Sequence, residues 1–294
     1  MQHDVIIIGG SYAGLSAALQ LLRARRRVLV VDAGRRRNRF ADHSHGFLGQ
    51  DGADPAEIAA TARRQVRAYP TLAWIDGVAE AAAGAKDDFR VTLRDGTVHE
   101  GRRLLFATGV SDALPPVEGL AERWGRSVFH CPYCHGYELD QGRIGVIATG
   151  PMSLHQAQLI PEWGETVLFL NSAVVPDAAA RADLLGRGVR IEEVPVARLE
   201  GRANVVLADG RVMEFAGLFT ATRTSPATPL AGDMGCALAD TPMGVQIRTD
   251  EAKETSIPGA FACGDVARAP HSVALAVADG AWAGAQLHRS LVWP

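Results

Sequence analysis

Two cysteines in the run Cys131-Pro-Tyr-Cys134, with His130 before them and His135 after, are the residues of this chain best suited to chemistry. Proline just inside a helix start fits the first turn, so the run reads as the opening of a helix. A cysteine at such a start, beside a histidine, is expected to have a lowered pKa, and the thiolate is the reactive form. The pair therefore reads as a dithiol/disulfide switch, with His130 and His135 as proton carriers able to cycle near neutral pH. Three other readings compete. Cys-x-x-Cys-His is also the attachment signature of c-type haem, which needs an export signal. A zinc site needs four ligands, and no second Cys-x-x-Cys or histidine pair accompanies this one, so no metal is expected. Two buried cysteines can also pack as small apolar groups, which is the expectation for the isolated Cys236 and Cys263.

The elements that must position this pair are written around it. Val5-Ile-Ile-Ile8 is an apolar run, followed by a glycine turn through Gly9, Ser11 and Gly14. A stretch of helical composition, Leu15–Leu22, comes next, and a second apolar run ends at Asp32. Strands apolar on both faces, joined through a helix, describe a β-α-β unit of a parallel sheet. Gly9 permits the sharp turn and Gly14 lets the helix approach the strand. The helix N-terminus offers N–H groups to a pyrophosphate, and Asp32 is placed to accept a ribose hydroxyl. Ser11 stands where the second glycine of this fingerprint normally sits. Dinucleotide binding is the expectation, because both strands, the helix and the acid occupy their proper places.

The same unit recurs from Ile144, with a helical stretch to about Trp163 and a strand ending at Asn171. Its chemistry has changed: Ala148 stands for Gly9, Ser153 for Gly14 and Asn171 for Asp32. Each unit is followed by an Asp-Gly turn, Asp95-Gly96 and Asp209-Gly210, predicting tight two-residue hairpins. Only the first copy carries an insert, Arg35 to Ile58, rich in Gly, His and Asp and containing His43, His45, Gly46, Gly49 and Gly52. The expected fold is α/β, two Rossmann-like nucleotide-binding domains with the second inserted into the first. Residues 1–112 and 225–294 form the outer domain, and 113–224 form the inserted one with the Cys-x-x-Cys.

Composition sets outer limits. The 294 residues are about twice a ~150-residue domain, and with 47% hydrophobic and 21% charged residues the chain has a globular make-up. A formal net charge of -3 leaves no basic footprint for nucleic acid. No apolar stretch approaches the length of a membrane span, and no signal-peptide pattern opens the sequence, so a cytoplasmic location is expected.

These features resemble the low-molecular-weight thioredoxin reductase family over nearly the whole chain. The likeness extends to Ile257–Val266, similar to the family's second FAD motif, with Asp265 directed at the ribityl-phosphate portion. It continues in Pro270–Gly280, similar to the helix whose N-terminus faces the flavin pyrimidine ring; Gly280 and Gly284 fit either that role or plain helix packing. The resemblance implies FAD as cofactor, held by Gly9, Ser11, Ala13, Gly14, Asp32, Gly46, Gly49, Thr108, Gly109, Gly264, Asp265, His271, Ser272 and Val273. It also implies a homodimer, and Cys134 as the sulfur that reduces the flavin.

Departures from the family narrow the function. Members that use NADPH carry a glycine-rich turn in the inserted domain and arginines after its second strand; here Ala148–Ser153 replaces the turn, and residues 171–176 contain no arginine. His135 holds the place of the family's usual aspartate. The variant Cys-Pro-Tyr-Cys-His-Gly-Tyr-Glu is similar to dithiol oxidases that close disulfides in natural products such as gliotoxin and holomycin. The resemblance thus implies a dithiol oxidase passing electrons through Cys131 and Cys134 to FAD and on to dioxygen, releasing hydrogen peroxide. Its substrate is a dithiol, either a small metabolite or a thioredoxin-like protein. The alternatives are a disulfide reductase driven by NADPH or ferredoxin, and a redox sensor without turnover.

Overall fold

The computed structural model describes residues 2–293. Contacts divide the chain into two units. The first contains residues up to Arg39, Asp54–Ser111 and those from Thr224 on; the second contains Phe40–Ala53 and Asp112–Arg223. The insert seen in the sequence is thus split, and its middle belongs to the second unit. Contacts between residues far apart in sequence decide that membership, which the order of residues does not display.

In the first unit, β1 (His3–Ile8), α1 (Tyr12–Arg23) and β2 (Val28–Asp32) form the expected β-α-β unit. After α2 (Pro55–Arg67) come β3 (Leu72–Asp76), β4 (Ala79–Ala85), β5 (Asp88–Leu93), β6 (Val98–Phe106) and β7 (Val110–Ala113). The main sheet runs β3-β2-β1-β6-β5-β4, with β19 (Ala260–Ala262) also paired to β6. The β1, β2, β3, β6 and β19 pairings are parallel, whereas β4-β5-β6 is an antiparallel meander. Every residue of β2 is buried, as a sheet covered on both faces requires. On one face α1 packs against α7 (Val273–Val292). A Cβ on Gly280 would stand 2.1 Å from the Ala13 carbonyl oxygen, and one on Gly284 2.7 Å from that of Ala17. These two glycines are therefore packing positions, letting two helix backbones approach.

The second unit holds a parallel five-stranded sheet, β11-β10-β9-β15-β8. Its strands are β8 (Val128–Phe129), β9 (Gln141–Ile147), β10 (Gly164–Phe169), β11 (Arg190–Glu192) and β15 (Gly217–Phe219). Helix α3 (Pro132–His135) follows β8, α4 (Met152–Leu159) joins β9 to β10, and α5 (Ala178–Gly186) precedes β11. A three-stranded antiparallel sheet, β12 (Val196–Glu200), β13 (Asn204–Leu207) and β14 (Val212–Met213), covers one side. Its core includes Phe169, Phe215, Leu199 and Val205.

The chain re-enters the first unit through β16 (Arg223–Pro226), then α6 (Leu230–Asp233), β17 (Leu238–Thr241) and β18 (Gly244–Ile247). Both Asp-Gly turns join antiparallel strands, but each loop has three residues. The Leu93 N–H donates to the Thr97 carbonyl at 2.9 Å, and the Leu207 N–H to that of Arg211 at 2.9 Å. Gly96 (φ +85) and Gly210 (φ +88) take the left-handed position that closes such a turn. Among the described residues no helix is long and apolar enough to cross a membrane.

Candidate active site

The nucleotide cradle of the first unit is built on the turn from β1 to α1. Gly9 has φ +110, and a Cβ on Gly14 would lie 1.9 Å from the Gly9 carbonyl oxygen. No other residue type fits either position, so α1 starts directly against the end of β1. Ser11 occupies the N-cap of α1 but makes no side-chain capping bond. Asp32, at the end of β2, accepts the Gly10 N–H at 3.2 Å and the Gly34 N–H at 3.1 Å. Its other oxygen is 2.6 Å from Arg63 Nη2, a partner that sequence reasoning missed. Arg63 also lies over the Trp74 ring, 4.7 Å from its centroid, and Trp74 would collide with a side chain at Gly10. Asp32 is thus held by an arginine and two backbone donors beside an indole face.

The segments from β19 and α7 complete this cradle. Gly264 (φ +74) donates its N–H to Asp279 Oδ2 at 2.8 Å, and Asp279 pairs with Lys253 Nζ at 2.6 Å. Next to it, Asp265 faces Arg37 Nη1 at 3.3 Å, which also lies 2.8 Å from His271 Nδ1. Ser272 caps α7 by accepting the Leu275 N–H, which places Val273 in the first turn. Thr108 and Gly109 (φ +68) follow β6, and the Gly109 carbonyl accepts the Ala227 N–H. Ala13 is buried in α1. Arg37 and Asn38 were not foreseen. Asn38 Nδ2 donates to the Tyr12 hydroxyl at 3.1 Å, while its buried Oδ1 has no hydrogen-bond partner.

These residues fit FAD. The cradle admits no Cβ where a pyrophosphate approaches, the capping position of α1 is uncommitted, and Arg37 supplies positive charge beside Asp265. Gly46 and Gly49 belong to the second unit. The Gly46 N–H donates to Asp51 Oδ1 at 2.8 Å, and Gly49 (φ +82) sits in an exposed turn closed by the Gln50 N–H on the Phe47 carbonyl. Both glycines therefore serve local turns of the Phe40–Ala53 segment.

The cysteine pair belongs to the second unit. Cys131 is the N-cap of α3, with Pro132 at the first helical position as expected. The helix is a single turn of four residues. The turn does bring the sulfurs together: Cys131 Sγ and Cys134 Sγ are 2.7 Å apart. Gly136 is forced by Trp163, whose Cδ1 would stand 2.6 Å from a Cβ there. Trp163 also meets the exposed Tyr133 ring edge-on at 5.2 Å.

His135 stacks on Phe129, the last residue of β8, with ring centroids 4.2 Å apart and planes 20° off parallel. Burial against this apolar surface, with a smaller contribution from the nearby His45, pushes its pKa down to about 4. The sequence expectation of a histidine cycling near neutral pH is corrected accordingly. His135 is neutral at pH 7, able to accept a proton but only about one-thousandth populated as the cation. His130 lies with its ring 6.2 Å from Trp124, and its carbonyl accepts Gln156 Nε2 at 2.8 Å. Cys236 and Cys263 are buried, and burial raises both thiol pKa values, which keeps them inert.

The second nucleotide-like turn is occupied by its own side chains. Ser153 Oγ accepts the Thr149 N–H at 2.9 Å, and Thr149 Oγ1 donates to the Ala221 carbonyl. Asn171 Oδ1, standing where the first unit has Asp32, accepts the Val196 N–H at 3.1 Å. Ser153, Thr149 and Asn171 thus each make a hydrogen bond within the second unit.

Residues 3–280 match the sequence pattern of the Pyridine nucleotide-disulphide oxidoreductase family. The chain is 33% identical to "Thioredoxin reductase sirT" of Leptosphaeria maculans over 96% of its own length and 92% of that protein. It is 43% identical to "Thioredoxin reductase tcpT" of Claviceps purpurea, over a match spanning 53% of this chain and about half (51%) of that protein. A solved oxidoreductase from Agrobacterium tumefaciens is 57% identical, covers 100% of both chains and superposes with a TM-score of 0.98.

Proposed function

This chain belongs to the pyridine nucleotide-disulphide oxidoreductase family, among its thioredoxin reductase-like FAD flavoproteins, and from that premise we propose that it is an FAD-dependent dithiol oxidase. The observation that carries the reading is the contrast between an intact Cys131/Cys134 pair and a second nucleotide turn filled by Ser153, Thr149 and Asn171. A reductase needs an entry for hydride equivalents; an oxidase needs an entry for thiols. Bound FAD supplies a two-electron sink that dioxygen can empty, with hydrogen peroxide as product.

The residues of this chain divide the remaining work. With the pair oxidised, Cys131 receives a substrate thiolate and the Cys131–Cys134 bond breaks; the second substrate thiol then displaces Cys131, closing the substrate disulfide. The thiolate is the attacking species, so a base must take the thiol proton. Neutral His135, next to Cys134 on the same turn, is that base, with His130 at the other end of the motif as its helper. In the first unit Gly9, Ser11, Gly14, Asp32, Gly264, Asp265, Arg37 and the start of α7 at Ser272 and Val273 hold the cofactor. We place the enzyme in the cytoplasm as a homodimer, by analogy with its family.

The relatives' printed name, thioredoxin reductase, favours a second reading: a reductase fed by NADPH or ferredoxin. An anaerobic titration of the FAD-loaded protein, followed by flavin absorbance, separates the two. Bleaching by a small dithiol but not by NADPH, with colour restored by air, is the expected result. Prompt bleaching by NADPH reassigns the protein as a reductase.

A further inference from the structure

The histidine-rich insert contributes a group that the chemistry above leaves unused. The segment Phe40–Ala53 folds with the second unit and is closed on itself, with the Ser44 N–H on the Ala53 carbonyl and the Gly46 N–H on Asp51. This closure presents His45 to the turn that follows the cysteine pair. His45 Nε2 lies 3.4 Å from Glu138 Oε1, three residues beyond His135, and His45 Nδ1 lies 3.6 Å from Asp51 Oδ1. His45 is largely buried, whereas Glu138 and Asp51 are exposed, so the chain of groups runs from the motif outward to water.

The titratable groups facing His45 are these two carboxylates, His43 on its own loop at 6.3 Å between ring centroids, and His135 on the cysteine turn. The two imidazoles oppose each other's charge, so both cannot hold a proton together at low cost. His45 has a carboxylate near either nitrogen, whereas His135 stacks on the apolar ring of Phe129.

We propose that His45 is the second station of a proton relay, taking from His135 the proton shed by a substrate thiol and passing it to solvent by way of Glu138 and Asp51. The inference rests on the dithiol-oxidising reading. In the step served, the substrate S–H bond breaks, its proton goes to His135 and its electron pair stays on sulfur. That pair forms the bond to Cys131 while the Cys131–Cys134 bond breaks and its pair leaves on Cys134. The substrate sulfur is oxidised, the enzyme disulfide is reduced, and the proton on His135 must be cleared. His45 is a positioning residue that acts through His135.

The test is stopped-flow bleaching of the FAD-loaded protein by dithiothreitol, without oxygen, for wild type, His45→Gln and Glu138→Gln across the range from about pH 6 to about pH 9. Removing the relay should slow His45→Gln by about 10- to 100-fold near neutral pH, the lower part of the general-base range. The deficit should close towards pH 9, where the dithiol arrives already ionised. Glu138→Gln should lose less, with the same pH dependence, and an unchanged flavin spectrum shows that both variants fold. A His45→Gln rate equal to wild type at every pH overturns the relay, as does a deficit that stays constant with pH. If dithiothreitol does not bleach wild type at all, the oxidase reading falls and the relay with it; that outcome is visible before any variant is compared.

Discussion

The two units share a strand-turn-helix-strand plan, yet they commit the side chains of their turns differently. In the first, Gly9 and Gly14 admit no side chain, Ser11 leaves the start of α1 uncapped, and Asp32 is poised between Arg63 and two backbone donors. In the second, Ser153 takes the Thr149 N–H and Asn171 takes that of Val196. The protein has not lost a fold by this change; the five-stranded sheet is complete and its core is apolar and closed. The second unit has become a platform for the Cys131–Cys134 turn and for His45. A nucleotide-binding scaffold can thus keep its packing while its polar groups turn inward, because packing depends on apolar volume and binding on a few uncommitted donors.

The largest expected effect breaks the comparison at the cysteine pair. Cys134→Ser should retain bound flavin, since the cradle lies in the first unit, and lose dithiol-driven bleaching entirely. Normal bleaching in this variant would falsify the assignment of Cys134.

Next in size is a pH effect carried by His135. Its folded pKa of about 4 lies below the ordinary value of 6.5, so on acidification the unfolded chain takes up a proton first. The stability associated with neutral His135 is fully present above about pH 6.5 and is lost as pH falls towards about pH 4, by roughly 3 kcal/mol. His135→Asn should flatten this part of the stability curve, measured by denaturant titration at several pH values. An unchanged slope means that the ring is not held neutral by Phe129.

The smallest effect compares the two turns directly. Gly14→Ala forces a methyl group against the Gly9 carbonyl, and overpacking of this kind costs about 1–3 kcal/mol. It should also lower flavin occupancy of the purified protein, read from the ratio of visible to ultraviolet absorbance. The counterpart, Ser153→Ala, removes one hydrogen bond worth about 1 kcal/mol and should leave flavin occupancy unchanged. Equal flavin loss in both would erase the distinction between the units.

Much of the site was legible because it consists of short local patterns. Gly9, Gly14 and Asp32 stand at spacings that only a β-α-β turn explains, and Pro132 at the first position after Cys131 marks the dithiol turn as a helix start. Gly280 and Gly284 could be read two ways until the Ala13 and Ala17 carbonyls were found against them. Gly46 and Gly49 take positive φ angles in a loop that groups with the second unit, a membership the order of residues does not display. Arg37 and Arg63 carried no signal in the sequence, since nothing in their neighbours marks a partner far along the chain, and His45 was marked only by its place in the histidine-containing insert.

By itself the sequence determined the strand-and-helix repeat, the integrity of one nucleotide turn, the replacement of the other and the position of the redox pair. These depend on periodicity and on glycine geometry, which act within a few residues. Only the tertiary structure decided that residues Phe40–Ala53 join the second unit, that Asp32 is met by Arg63, and that His135 is stacked on Phe129 with its pKa lowered by burial. The reason is physical: proton affinity and charge pairing are set by burial and by groups brought together from distant parts of the chain, and neither is a property of local sequence.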